Sequence, residues 1–383
     1  MKIVFASNFF NHHQAFLSEA LHRMTGGNYY FIATGRMSQE RKDLGYGSQE
    51  SDYVRKTYLD EDAKKECQKL IDEADVVITG SAPEELIHPR ILAGKLIFRY
   101  SERPLKQGNT WWKYPYRFWR WHRNNPRRSP VCMLCASAYT AADYAKFFMF
   151  RDRAYRWGYF PEVKEYPSLE ELMDKKDPRK LLWCGRFLDW KHPDDALRVA
   201  KALKDEGKDF VLEFIGTGQM EEELHRMTRE LDLEDKVRFL GSMPPDQVRR
   251  HMEEAGIYLF TSDRQEGWGA VLNESMNSGC AVVASHAIGS VPFLMKDGEN
   301  GLVYRSGDVA MLTDKVRDLL DHPEKRRTLG SAAYETMVAT WTAEVAAERL
   351  MNLAEHILAG EKNPDLYENG PCSKASILKD DWM

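Results

Sequence analysis

A chain of 383 residues, 43% hydrophobic and 30% charged, is too long for one hydrophobic core and too apolar to stay unfolded, so two ordinary domains are expected. The net charge of −5 conceals an asymmetry: residues 1–165 carry 26 Lys and Arg against 19 Asp and Glu, and residues 166–383 carry 28 against 40. Such halves suit different partners.

Other classes are disfavoured in turn. No run approaches the roughly 20 apolar residues that span a bilayer. The opening MKIVFASNFFNHHQ offers only a four-residue apolar run before polar residues, too short for the core of a secretory leader. The six cysteines are scattered rather than arranged as a framework, which suits a reducing compartment. A cytoplasmic protein is expected, held at most to the inner face of the cell membrane.

In chain order, KIVFA reads as a strand, followed by the polar loop SNFFNHHQ and a helix-like QAFLSEALHRM. His12 and His13 in that loop are candidates to face a cleft, with a plain structural role equally open. YYFIAT, ADVVITG and KLIFRY are short apolar runs that end in turns, and the last leads into Ser101, Glu102 and Arg103. Strands that alternate with helices predict a parallel, doubly wound sheet. The polar, proline-bearing PEVKEYPSLEELMDKKDP reads as a linker.

The second half repeats strand, loop and helix more cleanly, from KLLWCGRF through FVLEFIGTG, KVRFLG and GIYLFTS to CAVVAS. The expected architecture is therefore α/β, two Rossmann-like domains facing each other across a cleft. Residues 1–165 form the first domain, 166–179 the linker and 180–345 the second domain. Residues 346–383 form a helix and tail that pack back on the first. In such folds ligands bind beyond the carboxyl ends of the strands.

Chemistry concentrates in EGWGAVLNE, Glu266 to Glu274. Gly267 and Gly269 let backbone approach a ligand, and a helix starting near Ala270 would aim N–H groups and a positive dipole end at an anion. A carboxylate beside a phosphate would be repelled, so Glu266 and Glu274 are better placed to accept from hydroxyls on either side of it. Hydroxyls flanking a phosphate describe a nucleotide-sugar. A capped helix with two solvated acids is the plainer alternative. In CGRFLDWKHPDDA, Arg186 and Lys191 follow a strand of the same domain and could reach a diphosphate. Gly216 and Gly218 in GTG make a further close-approach loop.

The Glu-x7-Glu pattern of EGWGAVLNE, preceded by GRF…K and followed by CAVVAS…IGSVPFLMKDGENGLVY, resembles the donor half of family-four retaining glycosyltransferases. The resemblance covers about residues 180–305 and implies the GT-B fold. It implies that Arg186 and Lys191 bind the donor diphosphate and that Glu266 contacts the donor sugar. It further implies that the amides of Trp268, Gly269, Ala270 and Val271 meet phosphate or sugar, and that Glu274 holds the ribose hydroxyls. The expected activity is hexosyl transfer with retention from a nucleotide-diphosphate-sugar, a UDP-sugar in the first instance, to a glycan or lipid-linked acceptor. No cofactor beyond the nucleotide-sugar co-substrate and no metal is expected, since the cations and helix dipole would do a metal ion's work.

The chain departs from the family at IGSVPF, where Ser290 and Phe293 replace a glycine and a glutamate, and at its first loop, which lacks the usual glycines. The family's histidine after a middle strand has no counterpart, which leaves His13 and Glu102 as candidates toward the acceptor.

Between Trp111 and Arg128, WWKYPYRFWRWHRNNPRR holds seven aromatics and six Lys or Arg with no acid. Rings and cations together suit an anionic membrane interface. Nucleic acid is a less favoured partner, and an ordinary amphipathic helix with snorkelling arginines remains open. Cys132 and Cys135 have zinc-like spacing without a second pair, so metal binding is not expected. The rival readings are a nucleotide-sugar epimerase on the same scaffold and a non-catalytic membrane or nucleic-acid adaptor. An NAD oxidoreductase lacks its glycine fingerprint.

Overall fold

The computed structural model describes residues 1–37, 51–108 and 110–383; the side chains of His12 and His13 lie outside that description. The chain forms two compact units, Met1–Glu162 with Trp341–Lys379, and Val163–Thr340 with Asp380–Met383.

Unit 1 is built on seven parallel strands: β1 Ile3–Ser7, β2 Tyr29–Ala33, β3 Val54–Lys56, β4 Val76–Thr79, β5 Ile97–Ser101, β6 Val131–Cys135 and β7 Ala154–Arg156. Their order is β3-β2-β1-β4-β5-β6-β7. VVIT in β4 and VCMLC in β6 are buried along their whole length, as sheets covered by helices on both faces require. The helix Glu61–Glu73 starts on Asp60, whose carboxylate accepts from the amide of Ala63 at 2.7 Å, and ends over a buried arginine. Arg90 donates to the carbonyls of Ile71, Ala74, Asp75 and Leu96 at 2.6–3.0 Å. Four carbonyl oxygens so replace water around the buried guanidinium, with Asp72 and Asp75 near enough to favour its charge.

Unit 2 carries β8 Asp177–Cys184, β9 Val211–Ile215, β10 Val237–Phe239, β11 Ala255–Phe260, β12 Ala281–Ser285 and β13 Leu302–Tyr304. All are parallel in the order β10-β9-β8-β11-β12-β13. A hydrophobic core runs from Leu181 and Phe214 through Leu197 and Leu203 to Val316 and Leu319.

Each sheet reverses its strand order once, between β1 and β4 in unit 1 and between β8 and β11 in unit 2. These reversals open a crevice at the carboxyl ends of the flanking strands.

The stretch expected to be a linker is ordered and packed. Ser168 caps a helix, Leu169–Asp174, by accepting from the amide of Glu171, and β8 begins at Asp177. Upstream, the amide of Lys164 donates to Asn277 and its carbonyl accepts from the same side chain. These polar groups serve caps and backbone of the same unit.

Lys176 shows the same economy, donating to the carbonyls of Met252, Glu253 and Ala255 from a site where burial lowers its pKa. Cys132 and Cys135 lie three apart on β6, on opposite faces of the sheet, and both are free and buried. Burial pushes the Cys132 thiol up to about 11, the reverse of what a zinc ligand needs.

Candidate nucleotide-sugar site

The reversal in unit 2 brings together the loops that leave β8 and β11. After Cys184 the chain turns through Gly185 and Arg186 into a short helical turn, Asp189–Lys191. After Phe260 it runs through Thr261, Ser262 and Asp263 to Glu266. Trp183 at the end of β8 donates its indole N–H to Thr261 at 2.8 Å, and the Thr261 hydroxyl donates to the carbonyl of Lys191 at 2.7 Å. The amide of Asp263 donates to the carbonyl of Trp190 at 2.9 Å. Three hydrogen bonds thus tie two loops distant in sequence.

Across that seam Lys191 pairs with Glu266, both side chains about seven-eighths buried, and Ser262 donates to the same carboxylate oxygen at 3.2 Å. The ammonium also lies 4.7 Å from the Trp190 ring centroid. A second pair lies beside it: His192 stands 3.7 Å from Asp263, and the attraction of that carboxylate holds the imidazole pKa above its usual value. His192 adopts the left-handed backbone conformation, φ 47°, an uncommon choice for a side-chain-bearing residue. Arg186 is exposed, and its side chain makes no hydrogen bond or ion pair to a described residue, so the guanidinium is free to meet a ligand.

The turn between the two acids is stiffer than bare glycines suggest. Gly269 has φ 81° and a Cβ there would lie 2.3 Å from the Phe260 ring, so only glycine fits. Trp268 is fully buried, its indole donates to Asn273 at 2.9 Å, and its carbonyl accepts from Ser290 at 2.5 Å. The amide of Gly289 donates to the carbonyl of Glu266 at 3.1 Å. The helix follows from Val271 to Asn277 with Ala270 at its cap.

Glu274 in its first turn has a half-buried carboxylate with no hydrogen-bond donor among the described residues. Burial raises its pKa above the ordinary carboxyl value, and Arg249 offsets this only in part. A desolvated acid without a donor is costly, and hydroxyl donors from a ligand would relieve it.

Gly216 and Gly218 serve the scaffold. A Cβ on Gly216 would sit 1.9 Å from the Gly185 carbonyl oxygen, and one on Gly218 would sit 2.5 Å from that of Phe187. Their bareness lets the loop after β9 lie directly against the loop that carries Arg186, so they shape the site through backbone contact.

In unit 1 a polar cavity of about 630 Å³ opens at the β1/β4 reversal, lined at strand ends by Ser7, Asn8, Thr79, Gly80, Ser101 and Glu102. Glu102 accepts from Tyr159 at 2.6 Å and from Lys106 at 3.0 Å. Arg99 makes a two-pronged pair with Glu84 at 2.9 and 3.1 Å. Behind the cavity Arg103 and Asp143 form a fully buried pair that also binds the amide of Leu105. Arg117, from the basic aromatic helix Tyr114–Asn124, reaches the rim.

The structure therefore gathers Arg186, Lys191, Glu266, Gly267 to Val271 and Glu274 in unit 2, and Glu102 in a separate cavity of unit 1. The loop partners Thr261, Ser262, Asp263, His192 and Ser290 went unpredicted. Polar residues straight after an apolar strand were their signal, and only pairing across the sheet reversal reveals their use.

Residues 169–336 match the family model described as Glycosyl transferases group 1. A D-inositol 3-phosphate glycosyltransferase of Corynebacterium aurimucosum is 31% identical over 178 residues, 45% of this chain and 41% of the relative. A GDP-mannose-dependent alpha-(1-6)-phosphatidylinositol monomannoside mannosyltransferase of Mycolicibacterium smegmatis is 28% identical over 50% of this chain and 52% of its own length. The chain thus spans about half or less of the curated relatives it matches. Among solved structures, Anabaena HepE in complex with UDP superposes with a TM-score of 0.69 at 15% identity, over 93% of this chain and 100% of that one. The lipopolysaccharide outer core galactosyltransferase WaaB gives 0.66 at 16% identity, over 93% and 99%. These similarities show the GT-B fold.

Proposed function

With unit 2 carrying a glycosyl transferases group 1 domain as the premise, we propose that the protein is a retaining glycosyltransferase. It takes a hexose from a UDP-sugar and passes it to a glycan or lipid-linked acceptor without a metal ion. The observation that carries the reading is the pairing, at one sheet reversal, of a free Arg186 and a Lys191–Glu266 ion pair with the donor-less carboxylate of Glu274.

Glu274 accepts from the ribose hydroxyls. Arg186 and Lys191 meet the diphosphate, whose negative charge grows as the glycosidic bond breaks, so their attraction is strongest in the transition state. Glu266 orients the sugar and, through its ion pair, fixes the Lys191 ammonium beside the breaking bond. The acceptor enters the cavity of unit 1, where Glu102 is the candidate to receive its proton. UDP is favoured because HepE was solved with it. A lipid-linked acceptor is favoured by the phosphatidylinositol-mannoside relative and by the exposed rings of Trp111, Trp112, Tyr116 and Trp119, which suit docking at a membrane with anionic lipid.

The test is release of nucleoside diphosphate from a panel of nucleotide-sugars in the presence of a chelator, with the product's anomeric configuration read by NMR. Turnover of a UDP-sugar with retention is expected. Turnover abolished by the chelator would overturn the metal-free reading, and an epimerised donor without transfer would overturn the reaction class.

A further inference from the structure

A second cavity of unit 1, about 810 Å³, lies apart from the polar one and shares none of its lining residues. Arg127, Arg128, Arg151, Arg153 and Lys362 line it, against Asp152 and Glu361. Glu361 is already engaged by His356 at 2.5 Å. None of the four arginines is paired with a described carboxylate; Arg127 and Arg153 instead donate to the carbonyls of Phe148 and Ser129 at 3.2 and 2.8 Å. Five cations against two carboxylates leave the cavity with an excess of positive charge, which attracts an anion.

The cavity's rim is aromatic. Phe148, half exposed, and Phe150 both adopt left-handed backbone, φ 59° and 53°, a strained choice for bulky residues. The Arg151 guanidinium lies 5.2 Å from the Phe148 ring centroid. This turn packs on the basic aromatic helix, with Phe147 stacked on Tyr114 at 4.6 Å and its carbonyl bonded to His122 at 2.9 Å. Phe148 thus stands exposed on a turn anchored to that helix, beside the Arg151 guanidinium.

Rings that favour the interfacial zone beside unpaired arginines match a phospholipid: acyl and glycerol regions against the rings, phosphate among the guanidinium groups. We infer that this cavity is a binding site for the phosphate of an anionic phospholipid headgroup. The inference rests on the membrane-docking reading and adds to it a discrete, saturable site where diffuse attraction alone would need none.

The experiment compares binding of the full chain to vesicles of phosphatidylcholine with and without an equal part of phosphatidylglycerol, with soluble glycerol phosphate as competitor. Arg128→Gln/Arg151→Gln empties the cavity of two cations, and Arg120→Gln/Arg123→Gln removes equal charge from the helix surface. The cavity variant should lose about a hundredfold in affinity and its sensitivity to glycerol phosphate, and the helix variant about tenfold with that sensitivity kept, since direct charged contacts exceed near-surface attraction. Unchanged circular dichroism and thermal melting report that both variants remain folded. Equal losses in the two variants would overturn the cavity site and leave docking intact. Wild-type protein that ignores phosphatidylglycerol would overturn both, and glycerol phosphate bound directly in calorimetry by protein that ignores the vesicles would overturn the lipid site in favour of a soluble phosphate.

Discussion

Glu274 concentrates the argument in one side chain. A carboxylate desolvated without a donor binds its proton more tightly in the folded state, so ionising it costs the ligand-free protein stability as pH rises above the unfolded value near 4.3. A ligand whose hydroxyls donate to the ionised form reverses that preference. Nucleoside affinity should accordingly weaken as pH falls through the raised pKa, and uridine titrated by calorimetry tests this without the titration of a phosphate. Glu274→Gln should flatten the dependence; an unaltered pH profile would remove the ribose role. Glu274→Ala should weaken UDP by about 2 kcal/mol, roughly thirtyfold. The Lys191–Glu266 pair makes a separate forecast. Lys191→Met strands a mostly buried carboxylate, so it should destabilise the protein by about 1–3 kcal/mol more than Lys191→Met/Glu266→Gln does. Denaturant unfolding of both variants decides it, and a double variant no more stable than the single would show that Glu266 has other donors enough.

At the scale of elements, the alternation of strands with helices was legible because central strands such as VVIT in β4 and AGIYLF in β11 are unbroken apolar runs, and so were the loops that carry Arg186, Lys191 and Glu266 and the helix start that carries Glu274. What escaped reading were interactions that polar residues make across a sheet. Ser168, Lys164 and Lys176 sit in a stretch that composition alone calls a linker, yet each is committed to a cap, a side chain or a carbonyl of unit 2. For Gly216 and Gly218, nothing in a sequence says which way an absent Cβ would point, and in the structure it would meet the Gly185 and Phe187 carbonyls. Gly216→Ala should thus lower the melting temperature by about 5 °C or more, as an overpacked backbone contact implies. Nucleotide affinity should fall alongside, because Arg186 rides on the displaced loop. A variant of wild-type melting temperature that only binds nucleotide poorly would return these glycines to the ligand.

For the molecule as a whole, the placement of every proposed donor-binding residue in unit 2 makes a spatial forecast. In hydrogen exchange followed by mass spectrometry, saturating UDP should give its largest protection in the loops after β8 and β11, whose amides ring the proposed site. Largest protection among the strand ends β1, β4 and β5 would put the nucleotide in the other unit. The units are also interleaved in sequence: the chain passes from one to the other after Glu162, returns after Thr340, and leaves again after Lys379. At that last passage Asp380 meets His286 through its carbonyl at 3.1 Å, and Arg305 donates to Met383 at 2.8 Å. Shuffling by a single crossover, in evolution or in the laboratory, therefore cannot exchange unit 2 as a whole. A recombinant joined only near residue 163 would also inherit the other parent's closing helix for unit 1, and chimeras that keep both parents' specificities intact must be spliced at three places.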